Sequence, residues 1–122
     1  MKLNTIEKRV KTKQNKLKKI FKDIEENKKN LVLDLVYQAS FMSVKLEDLS
    51  EDIMINGIKE EYKNGENQFG YKERVEMKMY NTIVKNYTSI IKQLTELLPE
   101  DQKKSAGEDL LKFIASGKKW TI

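Results

Sequence analysis

The chain has 122 residues, with 24 Lys and Arg against 19 Asp and Glu, a net charge of +5, and neither cysteine nor histidine. Without Cys there is no disulfide, thiolate nucleophile or Cys-based zinc site. Without His the Ser-His-Asp triad, the usual general base near pH 7 and the commonest transition-metal ligand are all missing. The length fits one domain, or one domain with a tail, and only 5 glycines and 1 proline suit a helical protein better than a large enzyme core.

No stretch nears the roughly 18 consecutive apolar residues of a membrane span, and no apolar signal core follows the N-terminus. A protein of the cytosol is expected. The positive charge is concentrated. Lys8, Arg9, Lys11, Lys13, Lys16, Lys18, Lys19 and Lys22 place +8 in fifteen residues with no acid among them, which leaves −3 for the rest.

In chain order, the first predicted element is a helix over about 5–26. Ile6, Val10, Leu17, Ile20, Phe21 and Ile24 share one face and the basic residues spread over the opposite one. Asn4 or Thr5 is the expected cap, with Glu7 in the first turn and a break near Glu26-Asn27. A second helix is expected over 28–56, where Leu35, Ala39, Met42, Leu46, Leu49 and Ile53 form a heptad seam that Gly57 caps. Residues 57–73 carry three glycines and Asn64-Gly65. Ile58/Tyr62 and Phe69/Tyr71 read as arms of a short hairpin or as an intersubunit contact. The third helix, 74–98, repeats the seam through Tyr80, Ile83, Tyr87, Ile90, Leu94 and Leu97 and stops at Pro99. Ser105-Ala106-Gly107-Glu108 fits a capping box ahead of a short helix with Leu110, Leu111, Phe113 and Ile114, ending near Gly117 and followed by Trp120.

The expected fold class is therefore all-α. An antiparallel helical hairpin (28–98, the oligomerisation region) carries a basic N-terminal helix (1–27) and a short C-terminal helix with its tail (99–122). The seam residues Leu35, Met42, Leu46, Leu49, Ile53, Tyr80, Ile83, Tyr87, Ile90 and Leu94 are the expected oligomer interface. Two helices do not easily bury both the seam and the wider face bearing Val36, Val84, Ile91 and Leu98. Leu110, Leu111, Phe113, Ile114 and Trp120 are too apolar for a free end, and dock either on their own body or on a partner.

Chemistry is scarce. Gly65-x-x-x-x-Gly70 has the spacing of a phosphate loop, but Tyr71 stands where the loop needs Lys. Carboxylates at 47, 48, 51, 52, 60, 61, 66, 73 and 76 have the spacing of any solvated helix face, so no metal and no cofactor is expected. The eight basic residues of 8–22 have one bland explanation, a solvated face. Against it stands the repulsion between lysine pairs such as Lys18/Lys22, a cost that no interleaved acid relieves. Lysines that neutralise phosphates and release counterions give affinity independent of sequence. With one Arg in the element, phosphates suit it better than guanine edges.

Runs along the chain look familiar together: Phe41-Met42-Ser43-Val44-Lys45-Leu46-Glu47-Asp48-Leu49, Asn56-Gly57, the loop Glu61 to Gly70, Tyr80-Asn81-Thr82-Ile83-Val84-Lys85-Asn86-Tyr87, and Ile91 to Pro99. Over about residues 16–114 the chain resembles the small terminase subunits of tailed bacteriophages, in the family found in phages and prophages of Gram-positive bacteria. The resemblance implies a non-enzymatic DNA-packaging factor of the host cytoplasm. Such a factor is a homo-oligomeric ring that engages double-stranded viral DNA and delivers it to a large terminase subunit holding the ATPase and nuclease. It supplies no residue-level DNA motif, so the basic assignment rests on charge. No helix-turn-helix pattern is visible at the N-terminus. Two other readings remain open: a helical interaction or regulatory protein of phage or host without a DNA role, and a basic helix lying on anionic membranes.

Overall fold

The computed structural model describes residues 3–63, 65–66 and 68–116. The chain is mostly helical, with four α-helices and one two-stranded antiparallel sheet among the described residues.

Helix α1 (Leu3–Ile20) is built from Lys, Gln and Leu, which favour helix, with no Gly or Pro. It begins before the expected cap, so Asn4 and Thr5 lie inside its first turn and Glu7 in its second. It also ends earlier than the predicted 26. Phe21 N donates to Lys18 O and Ile24 N to Phe21 O, both at 3.2 Å, which tightens the last turn and reverses the chain. The reversal leaves Phe21 buried in the core that the helices share.

A 3₁₀ turn (Glu26–Lys28) leads into α2 (Lys29–Asn56), about 42 Å long. Ser40, fully buried, donates its hydroxyl to Val36 O at 2.7 Å, so a polar residue on the core side leaves no unpaired group. Gly57 closes α2 at φ +80°, donating its N–H to Ile53 O at 2.8 Å.

Strands β1 (Lys59–Lys63) and β2 (Phe69–Glu73) pair antiparallel, from Lys59 opposite Glu73 to Lys63 opposite Phe69. Arg74 fastens the base of this hairpin. Its guanidinium donates to Gly57 O and to Asp52 Oδ2, each at 2.8 Å, and its own N–H reaches Ile58 O at 3.0 Å.

Helix α3 (Val75–Leu97) runs back along α2. Arg74 meets Asp52 at one end, and Tyr87 meets Ser43 further along, so the two helices run in opposite directions. Leu98 is extended ahead of Pro99, as the residue before a proline prefers. A second 3₁₀ turn (Glu100–Gln102) then starts α4 (Lys103–Ser116). Ser105 thus stands inside α4 and not at its cap, so the expected capping box does not form.

All four helices feed one core. Leu17 and Phe21 come from α1 and its end; Val32, Leu35, Val36 and Ala39 from α2; Ile90, Leu94 and Leu98 from α3 and its end; Ala106, Leu110 and Phe113 from α4. With α1 and α4 added, Val36 and Leu98 are buried and Ile91 packs on the core, while Val84 on α3 stays 36% exposed. No helix among the described residues is long and apolar enough to cross a membrane.

Candidate nucleic-acid interface

The packing of Val10, Leu17 and Phe21 against the body fixes the roll of α1. That roll divides the eight basic residues into two groups. Lys8, Lys11, Lys16, Lys18, Lys19 and Lys22 are exposed, and none has an ion-pair or cation–π partner among the described residues. Lys8, Thr12, Asn15 and Lys19 form one row up the exposed side, and Lys11, Asn15 and Lys18 the next, with Lys22 in the turn beyond the helix. From Lys8 to Lys19 the row spans about 16 Å, enough to meet several phosphates.

Arg9 and Lys13 face inward. Arg9 donates to Asp48 Oδ1 at 2.9 Å and to Glu47 Oε1 at 3.4 Å, while Lys13 Nζ lies 3.3 Å from the same Glu47 oxygen. The Lys13 ammonium also sits 5.7 Å from the centroid of the Phe113 ring on α4. These two cations join α1 to α2 and α4, and of the sequence-derived set they are the members least able to offer charge to a ligand.

The same junction holds Tyr87. Burial pushes its phenol up to about 12; the hydrogen bond with Ser43 opposes the rise and the negative charge of Glu47 adds to it. The hydroxyl stays neutral at any physiological pH and acts as part of the packing.

Sequence spacing did not reveal Lys112. Helix α4 brings it beside Lys16 and Lys19 around a shallow hollow that also holds Asp109 and Phe113. The signal was tertiary, because 93 residues separate Lys112 from Lys19.

The proposed oligomer residues sit largely inside this chain. Leu35, Ile90 and Leu94 belong to the core, Met42 and Tyr87 pack against it, and Leu46, Leu49, Ile53, Tyr80 and Ile83 are half-buried. Of the C-terminal set, Leu110 and Phe113 are core and Ile114 packs on it, while Leu111 is 67% exposed; Trp120 lies outside the described residues. Strongly exposed apolar side chains stand elsewhere, among them Met54 and Ile55 at the end of α2, Ile58 just beyond it, and Phe69 and Tyr71 on the hairpin.

The carboxylates expected on solvated faces are dispersed or engaged with cations. Among the described residues no three His, Cys, Asp or Glu side chains converge as a metal site. No protein-family model matches the chain, and comparison with curated proteins and with solved structures finds no match either.

Proposed function

We propose that this chain is a small terminase subunit of a tailed phage. It binds double-stranded viral DNA through the exposed lysine face of α1, works as a ring-forming homo-oligomer in the host cytoplasm, and passes DNA to a large terminase subunit that performs ATP hydrolysis and cleavage. The observation that carries the DNA reading is the group of six exposed lysines on and just beyond one helix, without an acidic partner among the described residues. Unpaired like charge on one face raises the energy of the free protein, and a polyanion relieves it. The packaging role rests on the sequence resemblance and adds the oligomer and the large subunit as partners. A binding role is supported by the cations gathered on one helix face, which the shared core positions.

Duplex retention in a mobility-shift assay tests the reading. Wild type should retard duplexes of unrelated sequence alike, and a chain without duplex affinity at low salt would refute it. The alternative, a helical interaction protein of phage or prophage origin with no DNA role, draws support from the exposed aromatics of the β hairpin. It predicts self-association without DNA retention.

A further inference from the structure

The β hairpin presents two unlike faces. On one, Tyr62 lies against Gly70 so closely that a Cβ there would meet the ring at 3.0 Å, and Lys72 pairs with Glu60 at 3.4 Å. On the other stand Phe69 and Tyr71, 63% and 67% exposed, together with Glu61 and Glu73. Lys59 and Lys63 lie over the Tyr71 and Phe69 rings on that same face. Glu61, Glu66 and Glu73 have no ion pair among the described residues. From Ile58 to Glu73 the hairpin carries three acids and two bases besides Glu60 and Lys72, which pair with each other, so its aromatics stand in a slightly negative setting, ill placed for stacking on phosphate-bearing strands.

The opposite end of the molecule carries the complementary chemistry. Between the end of α1 and the start of α2 lies a hollow of about 240 Å³, floored by Phe21, Val32 and Val36 and edged by Lys18, Lys22 and Lys29, with Glu26 the one acid on its rim. Leu33, also lining it, continues up the outside of α2 into Tyr37 and Phe41, which are exposed and stacked 6.4 Å apart. This is an apolar strip with a basic rim, matched to an aromatic arm that bears unpaired carboxylates.

Within one chain the hairpin does not reach the hollow. Leu33 and Asn56 are separated by 23 residues of straight helix, about 35 Å, and strands of five residues reach about 17 Å. We infer that the hairpin of one copy docks into the α1–α2 hollow of the next, Phe69 and Tyr71 against the Leu33–Tyr37–Phe41 strip and Glu61 and Glu66 against Lys22 and Lys29. The contact joins unlike surfaces, so it propagates head to tail and either closes into a ring or continues as a filament. It gives the proposed oligomer its interface and does not depend on DNA binding.

The test is light scattering over a concentration series without DNA, with circular dichroism as the folding control. Wild type should gain mass with concentration, and Phe69→Ala/Tyr71→Ala should raise the concentration needed by at least about tenfold. Charge reversal then identifies the contact. One chain carries Glu61→Lys/Glu66→Lys and another Lys22→Glu/Lys29→Glu. Each alone sets like charges against each other and should stay monomeric, while the mixture pairs the two reversed surfaces as opposite charges and should assemble. A hairpin merely unfolded by substitution would not recover on mixing. Wild type that stays monomeric, reversed chains that associate alone as wild type does, or a mixture that fails to assemble would each overturn the inference. So would single-stranded DNA retained by the hairpin and released by Phe69→Ala/Tyr71→Ala while mass stays unchanged. Loss of duplex affinity with assembly intact would count against the DNA reading alone.

Discussion

Lys13 of α1 stands 3.3 Å from Glu47 of α2, and each side chain is less than one-fifth exposed. A residue that belongs by sequence to the basic face is thus a joint between helices. Glu47 also receives Arg9, so one carboxylate holds two of the eight cations in place. Removing it leaves Arg9 with Asp48 at 2.9 Å but takes from Lys13 its carboxylate partner in a partly dry site.

Glu47→Gln should therefore lower unfolding free energy by about 1–2 kcal/mol, between the values typical of exposed and of buried pairs. Urea denaturation measures it. In a double-mutant cycle with Lys13→Met the two losses should not add, because they remove the same ion pair.

Tyr87 gives a pH signature. Its phenol ionises near 10.0 when unfolded and at about 12 in the fold, chiefly because of burial. The folded chain holds the proton longer, so this stabilisation is complete below pH 10 and is lost as pH rises toward 12. The full shift corresponds to roughly 2–3 kcal/mol. Tyr87→Phe should remove that part of the decline in stability between pH 10 and 12. In absorbance titration near the tyrosinate band, wild type should show one late-ionising tyrosine that the variant lacks.

Leu94 has no exposed surface and lies in the core shared by all four helices. Leu94→Ala should cost about 2–5 kcal/mol through reduced burial and the cavity left behind. Leu111→Ala, on the exposed side of α4, should change stability by less than about 0.5 kcal/mol. Similar losses at both positions in thermal or urea unfolding would contradict the placement of Leu94 in the core and Leu111 outside it.

Gly57 has φ +80° and ψ −173°, a backbone region open almost only to glycine. Space is not the obstacle, since a side-chain carbon placed there would have nothing within 4 Å. Gly57→Ala should cost about 1–3 kcal/mol by strain alone, and Gly107→Ala, with equal space and no positive φ, should cost nothing comparable. Parallel melting curves of the two variants make the comparison.

Much of this architecture is written in local signals. Gly57 and Pro99 end α2 and α3 within a residue of the expected places, because each residue constrains the backbone by itself. The turn-rich stretch 57–73 does hold paired strands. The end of α1 left no such mark. Between Ile20 and Glu26 there is no glycine or proline, and Phe21 and Ile24 keep helical spacing, so only the shared core explains the turn. The start of α4 was hidden for a related reason: the 3₁₀ turn after Pro99 begins the helix before Ser105 is reached. In the candidate site, Arg9, Lys13 and Lys16 share one flank of the helix by spacing. Which of them meets Glu47 depends on the roll of α1 against α2, a tertiary quantity.

The central claim is that the exposed lysines of α1 bind duplex phosphates, and duplex affinity measured against salt concentration tests it most directly. A chain with Lys8, Lys11, Lys16 and Lys19 replaced by Gln leaves the Arg9 and Lys13 joints and the hollow's rim intact. Its logarithmic salt slope should be shallower than wild type by roughly 3–4, about one for each phosphate no longer neutralised, with its melting temperature unchanged. An unchanged slope and unchanged affinity in that folded variant would contradict the account.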